Sequence, residues 1–204
     1  SSDVCSSDLG IGRATAKILS AEGATVIVAD VQDKEGAETV AAVEAAGGAA
    51  QYHHVDVSDY DQVKALIDTI VSTHGRLDGA FNNAGIEGPT AKILDVPLED
   101  WDRVIRVNLS GVFICMKCVV EQMVKQDSGG SIVSTASVAG LVAIPGAPSY
   151  NAAKHGVVGL TRTIALEYAS KNIRVNAVCP GFIETPMLNR VTDASVKIRE
   201  QLIK

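Results

Sequence analysis

Short β-branched runs recur along the 204-residue chain, separated by helical sequence, and this alternation most narrows what it can fold into. Thr25 to Asp30 (TVIVAD) opens just after Gly23. Val55, Gly79 to Asn82 (GAFN), Ser131 to Ser134 (SIVS) and Ile173 to Val178 (IRVNAV) are the further strand candidates. Between them, Val63, Leu66, Ile67, Ile70 and Val71 keep helical spacing, with Ser58 as the expected cap. Parallel strands need a crossover between them, and a helix is its usual form. The spacing therefore predicts an α/β chain with a doubly wound parallel sheet in three α/β/α layers. No linker or composition shift divides the stretch from Gly10 to Lys204, so one domain is expected there.

The first nine residues break the pattern. Ser1-Ser2-Asp3 recurs as Ser6-Ser7-Asp8, and only Val4, Cys5 and Leu9 are apolar. A strand at the centre of a parallel sheet is normally apolar on both faces, so no central strand is expected from this segment. It resembles the translated tail of a sequencing adapter read twice, and residues 1–9 are expected to be a non-native leader.

Composition removes several function classes. A net charge of −6 argues against a nucleic-acid partner, which would want a basic stripe. No apolar run reaches the ~18 residues of a membrane span. The start of the chain lacks the basic and apolar segments of a signal peptide. Four cysteines without a paired framework suit a reducing compartment, and the cytoplasm is the expected location.

Chemistry enters at Gly10-Ile11-Gly12, which opens a helix, with Asp30 eighteen residues beyond Gly12 at a strand end. Glycines there let backbone amides approach a pyrophosphate, and the acid is placed for ribose hydroxyls. Tyr150 and Lys154 stand four apart at the start of a helical run and share one face. A tyrosine is a poor base at its free pKa of about 10, and a neighbouring ammonium favours the phenolate. Ser137, thirteen residues before Tyr150, follows the strand SIVSTA at the edge where open parallel sheets bind ligands. Hydride transfer from an alcohol to a nicotinamide needs such a base beside the hydroxyl.

With these residues in place, the chain from Gly10 to about Leu188 resembles the short-chain dehydrogenase/reductase family in its single-domain, Rossmann-like form. Asn82-Asn83-Ala84-Gly85 is similar to the family's N-N-A-G, Asp56-Val57 to its adenine-contacting D-V, and Pro180-Gly181 with Thr185 to its P-G-x-x-x-T. Asn108, within RVNLSG, stands where the family has a fourth catalytic residue whose backbone carbonyl holds a water in a proton relay. The resemblance implies Tyr150 as acid/base, Lys154 lowering its pKa and binding the nicotinamide ribose, and Ser137 orienting the substrate. Gly10, Ile11, Gly12, Asp30, Asp56, Val57, Asn83, Ala84, Gly85, Pro180, Gly181, Ile183 and Thr185 would complete the cofactor site, with no metal.

The resemblance also exposes departures. The family's T-G-x-x-x-G-x-G survives only in its second half, with Cys5 at the threonine position and Ser6 at the first glycine. Asp8 adds a carboxylate where phosphate would lie, and repulsion is expected. The first strand and a C-terminal strand are expected to be missing, leaving 10–204 as an incomplete catalytic domain. Activity is accordingly expected of the parent enzyme rather than of the chain so altered.

NAD is favoured over NADP, because Asp30 would repel a 2′-phosphate and Val31 and Gln32 supply no cation. Cys115 and Cys118 form a C-x-x-C inside an apolar helix and, like His53, His54, His74 and His155, are expected to do no metal or redox work. From Trp101 to Val124 the apolar residues point in nearly every direction. Such a helix needs cover beyond the sheet, and the family pairs subunits through it as homodimers or homotetramers. Val138, Ala139, Leu141, Ile144, Phe182, Met187 and Leu188 are the expected substrate rim, with Glu87 the nearest charge. The expected reaction interconverts a small neutral secondary alcohol or ring diol and its ketone. A 3-oxoacyl-thioester reductase, a glucose 1-dehydrogenase and a catalytically silent dinucleotide sensor are the alternatives.

Overall fold

The computed structural model describes residues 2–6 and 10–183. Its strands are β1 (Ser2–Ser6), β2 (Thr25–Asp30), β3 (Ala49–His54), β4 (Gly79–Asn82), β5 (Gly130–Thr135) and β6 (Ile173–Val178). Its α-helices are α1 (Ile11–Ala21), α2 (Asp33–Glu44), α3 (Tyr60–His74), α4 (Leu98–Ile105), α5 (Val112–Gln126) and α6 (Pro148–Tyr168). Every strand pair is parallel, in the order β3-β2-β1-β4-β5-β6. Successive strands run outward from β1 to β3, and the chain then returns past β1 to begin β4. A crevice opens at such a reversal, at the carboxyl ends of the strands.

Alternation along β2 builds two cores. Val26 and Val28 pack with Ala16 of α1 and Val43 of α2 on one face. Ile27 and Ala29 face the other way, toward Leu66 and Ile70 of α3, Met116 of α5 and Val157 of α6. A three-layer α/β/α arrangement follows, as the alternation of elements predicts. Among the described residues no helix is long and apolar enough to cross a membrane.

Four expectations are corrected. The first strand is present: Ser2–Ser6 lies between β2 and β4, with Val4 in register with Ile27 on one side and Ala80 on the other. Ladder bonds come from backbone N–H and C=O groups, which every residue of SDVCS carries, and none of the five is Gly or Pro. The slot is set by β2 and β4, whose Val26 to Ala29 and Ala80 to Phe81 are buried by their own packing. Apolarity of the segment alone was therefore the wrong criterion.

The strand expected at Val55 is instead β3, which ends at His54. It is an edge strand with one ladder partner and only partial cover, so its AAQYHH sequence carries little apolar signal. The cap of α3 is Asp59 rather than Ser58: its carboxylate accepts from Asp61 N at 2.9 Å and Gln62 N at 3.1 Å. The Ser58 N–H and hydroxyl instead donate to Asp56 Oδ1, closing the turn after β3.

The apolar stretch around Trp101 to Val124 is not one regular helix. A π-helical turn, Arg106–Gly111, separates α4 from α5, and such turns often mark functional sites. Met116, Val119, Val120 and Met123 find cover within this chain, whereas Phe113 stays 47% exposed.

The far end of α5 is tied to the approach to β4. Leu77 is fully buried and precedes the first residue of that strand, Gly79, so its peptide lies outside the ladder. The Gln126 carboxamide takes the place of a strand neighbour, donating to Leu77 O at 2.6 Å and accepting from Leu77 N at 3.0 Å. Loss of both bonds would strand a buried donor and acceptor. Gln126→Ala is expected to lower unfolding free energy by about 1–3 kcal/mol, read by urea denaturation, without altering the fold.

Candidate active site

Helix α6 begins with Pro148 in its first turn, a position where the missing N–H costs nothing. Tyr150 and Lys154 follow one turn apart on the same face. Lys154 is only 3% exposed, so its ammonium needs a partner. It donates to the carbonyl oxygen of Thr135, the last residue of β5, at 2.7 Å. Its Nζ lies 5.5 Å from the centre of the Tyr150 ring. Burial lowers the Lys154 pKa to about 8, and the Cys179 thiol just past β6 offsets part of the shift.

The same β5 end places Ser137. Its neighbours are fixed by the end of β6 and the segment that follows: Ala136 N donates to Val178 O and Val138 N to Pro180 O, each at 2.8 Å. Ser137 is 9% exposed, and its Oγ accepts from Ala139 N at 3.1 Å, capping the short turn Val138–Gly140. That turn sits hard against α6. A Cβ on Gly140 would stand 2.6 Å from the carbonyl oxygen of Lys154, so only glycine allows this approach.

Asn108 lies in the π-helical turn and is fully buried. Its carboxamide donates to Ile86 O and accepts from Ile86 N, both at 2.8 Å, pinning the loop after β4. Gly85, one residue earlier, brings the groups together: a Cβ there would lie 3.4 Å from Asn108 Oδ1 and 3.7 Å from Lys154 Nζ. The Thr135 hydroxyl donates to Asn83 Oδ1 at 2.9 Å, and Asn82 Nδ2 donates to Ser134 Oγ at 3.1 Å, so β4 and β5 share one floor.

On the other side of the switch point, Asp30 ends β2 at 9% exposure. One carboxylate oxygen accepts from Gln32 N at 3.0 Å. Its backbone carbonyl accepts from Val55 N at 3.0 Å and from the Tyr52 hydroxyl at 2.8 Å. Asp30, Val31, Gln32, Asp56, Val57, Ala84 and Gly85 all line one cleft of about 680 Å³, which continues past Ile86, Glu87 and Pro89 to Arg103. The residues expected at the adenosine end therefore share one open cavity, and they fit a dinucleotide with a carboxylate at its ribose position. Gly10 precedes α1 and its carbonyl accepts from Ala14 N, Ile11 is half-buried, and Gly12 is buried. Pro180 and Gly181 follow β6, and Ile183 is 48% exposed. Thr185, Met187 and Leu188 lie outside the described residues, as does Asp8.

Two site residues carried no sequence signal. Thr135 acts through its carbonyl, which every residue type has, and Ile86 acts through its peptide. Of the motifs set aside, desolvation pushes the Cys115 thiol up to about 12 and raises Cys118. His54 pairs with Asp33 at 2.7 Å, and His155 Nδ1 meets the Asn151 carbonyl at 2.9 Å.

The profile of the short chain dehydrogenase family matches residues 4–195. The chain is 46% identical over 184 residues to the 2,5-dichloro-2,5-cyclohexadiene-1,4-diol dehydrogenase of Sphingobium indicum, covering 90% of this chain and 72% of that protein. Among solved structures it is similar to carveol dehydrogenase from Mycobacterium avium in complex with NAD (TM-score 0.88, 35% identity, 92% of this chain and 72% of that one). It is similar also to a variant of actinorhodin polyketide ketoreductase with NADPH (TM-score 0.92, 35% identity, 98% and 77%). Related chains thus bind either dinucleotide. With a parallel sheet whose switch point carries these side chains, the chain belongs to the short-chain dehydrogenase/reductase family of oxidoreductases.

Proposed function

We propose that this protein interconverts a small, neutral secondary alcohol and its ketone, using NAD and Tyr150 as the acid/base. The observation that carries the reading is the buried Lys154 ammonium beside the Tyr150 ring, across Gly85 from a cleft that Asp30 and Gly85 line. When bound, NAD supplies the hydride acceptor in oxidation and NADH the donor in reduction. Tyr150 takes the hydroxyl proton in one direction and returns it in the other. Lys154 favours the phenolate, because a cation near the ring stabilises negative charge on it. Ser137, whose Oγ accepts from Ala139 N, keeps its own proton to donate to the substrate oxygen. Asn108 holds the loop that carries Ile86 and belongs to the proton path from Lys154.

Gly10, Ile11 and Gly12 meet the pyrophosphate, Asp56 and Val57 the adenine, and Asn83, Ala84 and Gly85 the adenosine side of the cofactor. Pro180, Gly181, Ile183 and Thr185 meet the nicotinamide. The Asp30 carboxylate accepts from ribose hydroxyls and repels a 2′-phosphate. The mostly apolar rim supports a neutral substrate, and the diol dehydrogenase relative supports a ring alcohol. A groove of about 500 Å³ between α5 and α6, lined in part by Phe113, Met116, Val120 and Tyr168, supports pairing as a homodimer or homotetramer.

Tyr150→Phe is expected to leave NADH binding, followed by fluorescence titration, near normal. Turnover should fall by about 10²–10⁴-fold in steady-state assays, the range for a positioned acid/base group. Near-normal turnover would remove Tyr150 from the chemistry. Asp30→Ala is expected to weaken NAD binding and relax discrimination against NADP, each by about 1–3 kcal/mol. Equal affinity of the unsubstituted protein for both cofactors would show that Asp30 is not the selector.

Lys154 gives a stability test with a definite sign. Between pH 8 and its unperturbed pKa of 10.5, the unfolded chain binds a proton at Lys154 that the cofactor-free folded chain has lost. Stability from this residue therefore rises with pH across that window, and below it the buried ammonium costs its full amount. In Lys154→Met, unfolding free energies measured from pH 7 to 11 should lose that rise.

A further inference from the structure

Between the Ser137 turn and α6, residues 141–147 form an irregular segment that carries two of the expected rim side chains, Leu141 and Ile144. Leu141 and Val142 are each 55% exposed, and Ile144 is half-buried. An irregular segment has no ladder to satisfy its backbone, so something else must hold it. Gly146 O accepts from Ala91 N at 2.9 Å, which ties the segment to the loop after β4. Its firmest restraint comes from one side chain. The Asn151 carboxamide donates to Ile144 O at 2.7 Å and accepts from Ile144 N at 3.1 Å.

Asn151 follows Tyr150 directly, and its own N–H donates to Ala147 O at 2.9 Å, closing the first turn of α6. The clamp therefore runs from the helix turn that holds Tyr150 to the backbone of Ile144. Two bonds of opposite sense fix both the distance and the orientation of that peptide, as a neighbouring strand would. Neither bond reaches Lys154, Ser137 or the cleft wall at Asp30.

We propose that Asn151 is a positioning residue that sets how closely Leu141, Val142 and Ile144 approach the substrate, and so determines how large a ketone the site accepts. The inference rests on the alcohol/ketone reading above. It predicts an effect on substrate binding and selectivity, separate from proton transfer. The backbone of Ile144 is held in register with Tyr150 only while both bonds exist. When they are lost, the segment is held by its two ends, where Leu141 N and Val142 N donate to Val138 O and Ala147 O accepts from Asn151 N, and by Gly146 O, so Ile144 between them can recede.

The test is Asn151→Ala in the full chain, with hydrogen–deuterium exchange and steady-state kinetics on cyclic ketones of graded size. Exchange in the peptide spanning residues 141–147 should quicken at least tenfold, with β5 unchanged. KM for a small ketone should rise about tenfold, kcat and the NADH dissociation constant should stay within about threefold, and preference for small over bulky ketones should shrink. The pH midpoint of kcat should not move. Should Asn151→Ala fail to fold, Asn151→Asp keeps an acceptor for Ile144 N and should give the same pattern at smaller size. Unchanged exchange at 141–147 would overturn the clamp. Faster exchange with unchanged KM and size preference, or a loss confined to kcat, would overturn its role in selectivity. Absence of NADH-dependent turnover by the unsubstituted protein with every ketone would overturn the underlying reading instead, while exchange still decides the clamp.

Discussion

A single ammonium group sets the terms for the rest of the molecule. Lys154 sits almost wholly out of water, and an unpaired cation there would cost several kcal/mol. The Thr135 carbonyl relieves that cost only if β5 ends where it does and α6 starts where it does. Gly140 must have no side chain, because the turn after Ser137 lies against the Lys154 backbone. The energetic demand of one buried charge thus accounts for why Gly140 and the end of β5 converge on this point. The lowered pKa of the lysine is the part of that demand that titration can still read.

Around this point the loops are irregular, and irregular backbone is held by side-chain amides. Gln126 holds Leu77, Asn108 holds Ile86 and Asn151 holds Ile144, each through one donated and one accepted bond. A carboxamide presents the same donor and acceptor as a peptide, so it can stand in for a missing strand. The three sites lie at the entry to β4, at its exit and beside the first turn of α6. In each case an element with a firm helical backbone lends its rigidity to a segment that has none.

The two sides of the switch point divide the labour. The β2 side, with Asp30 and its carbonyl held by Tyr52 and Val55, offers the charge that recognises a ribose in the proposed reaction. The β4–β5 side holds the buried Lys154 and Ser137, which carry the proton chemistry in the proposed reaction. The cleft lined by Asp30 reaches Ala84 and Gly85 after β4, and Gly85 stands next to Lys154.

Alternating strands and helices were legible in the sequence, and the Gly10–Gly12 turn, Asp30 and the Ser137, Tyr150 and Lys154 set could be picked out there as candidates, because each rests on side-chain type and spacing. Helix periodicity found the buried face of α3 for the same reason. What the sequence misjudged depended on partners distant in the chain. β1 looked too polar to be a central strand, yet its place is set by backbone ladders to β2 and β4. β3 was nearly invisible because an edge strand needs little apolar cover. The cap of α3 moved by one residue because Asp56 had already claimed Ser58. The anchor of Lys154 is a main-chain carbonyl, and no residue type announces a carbonyl. The sequence by itself determined which chemical groups are available and which local elements carry them. Only the tertiary structure decided which of them meet, since backbone pairing and burial depend on neighbours brought together by the fold.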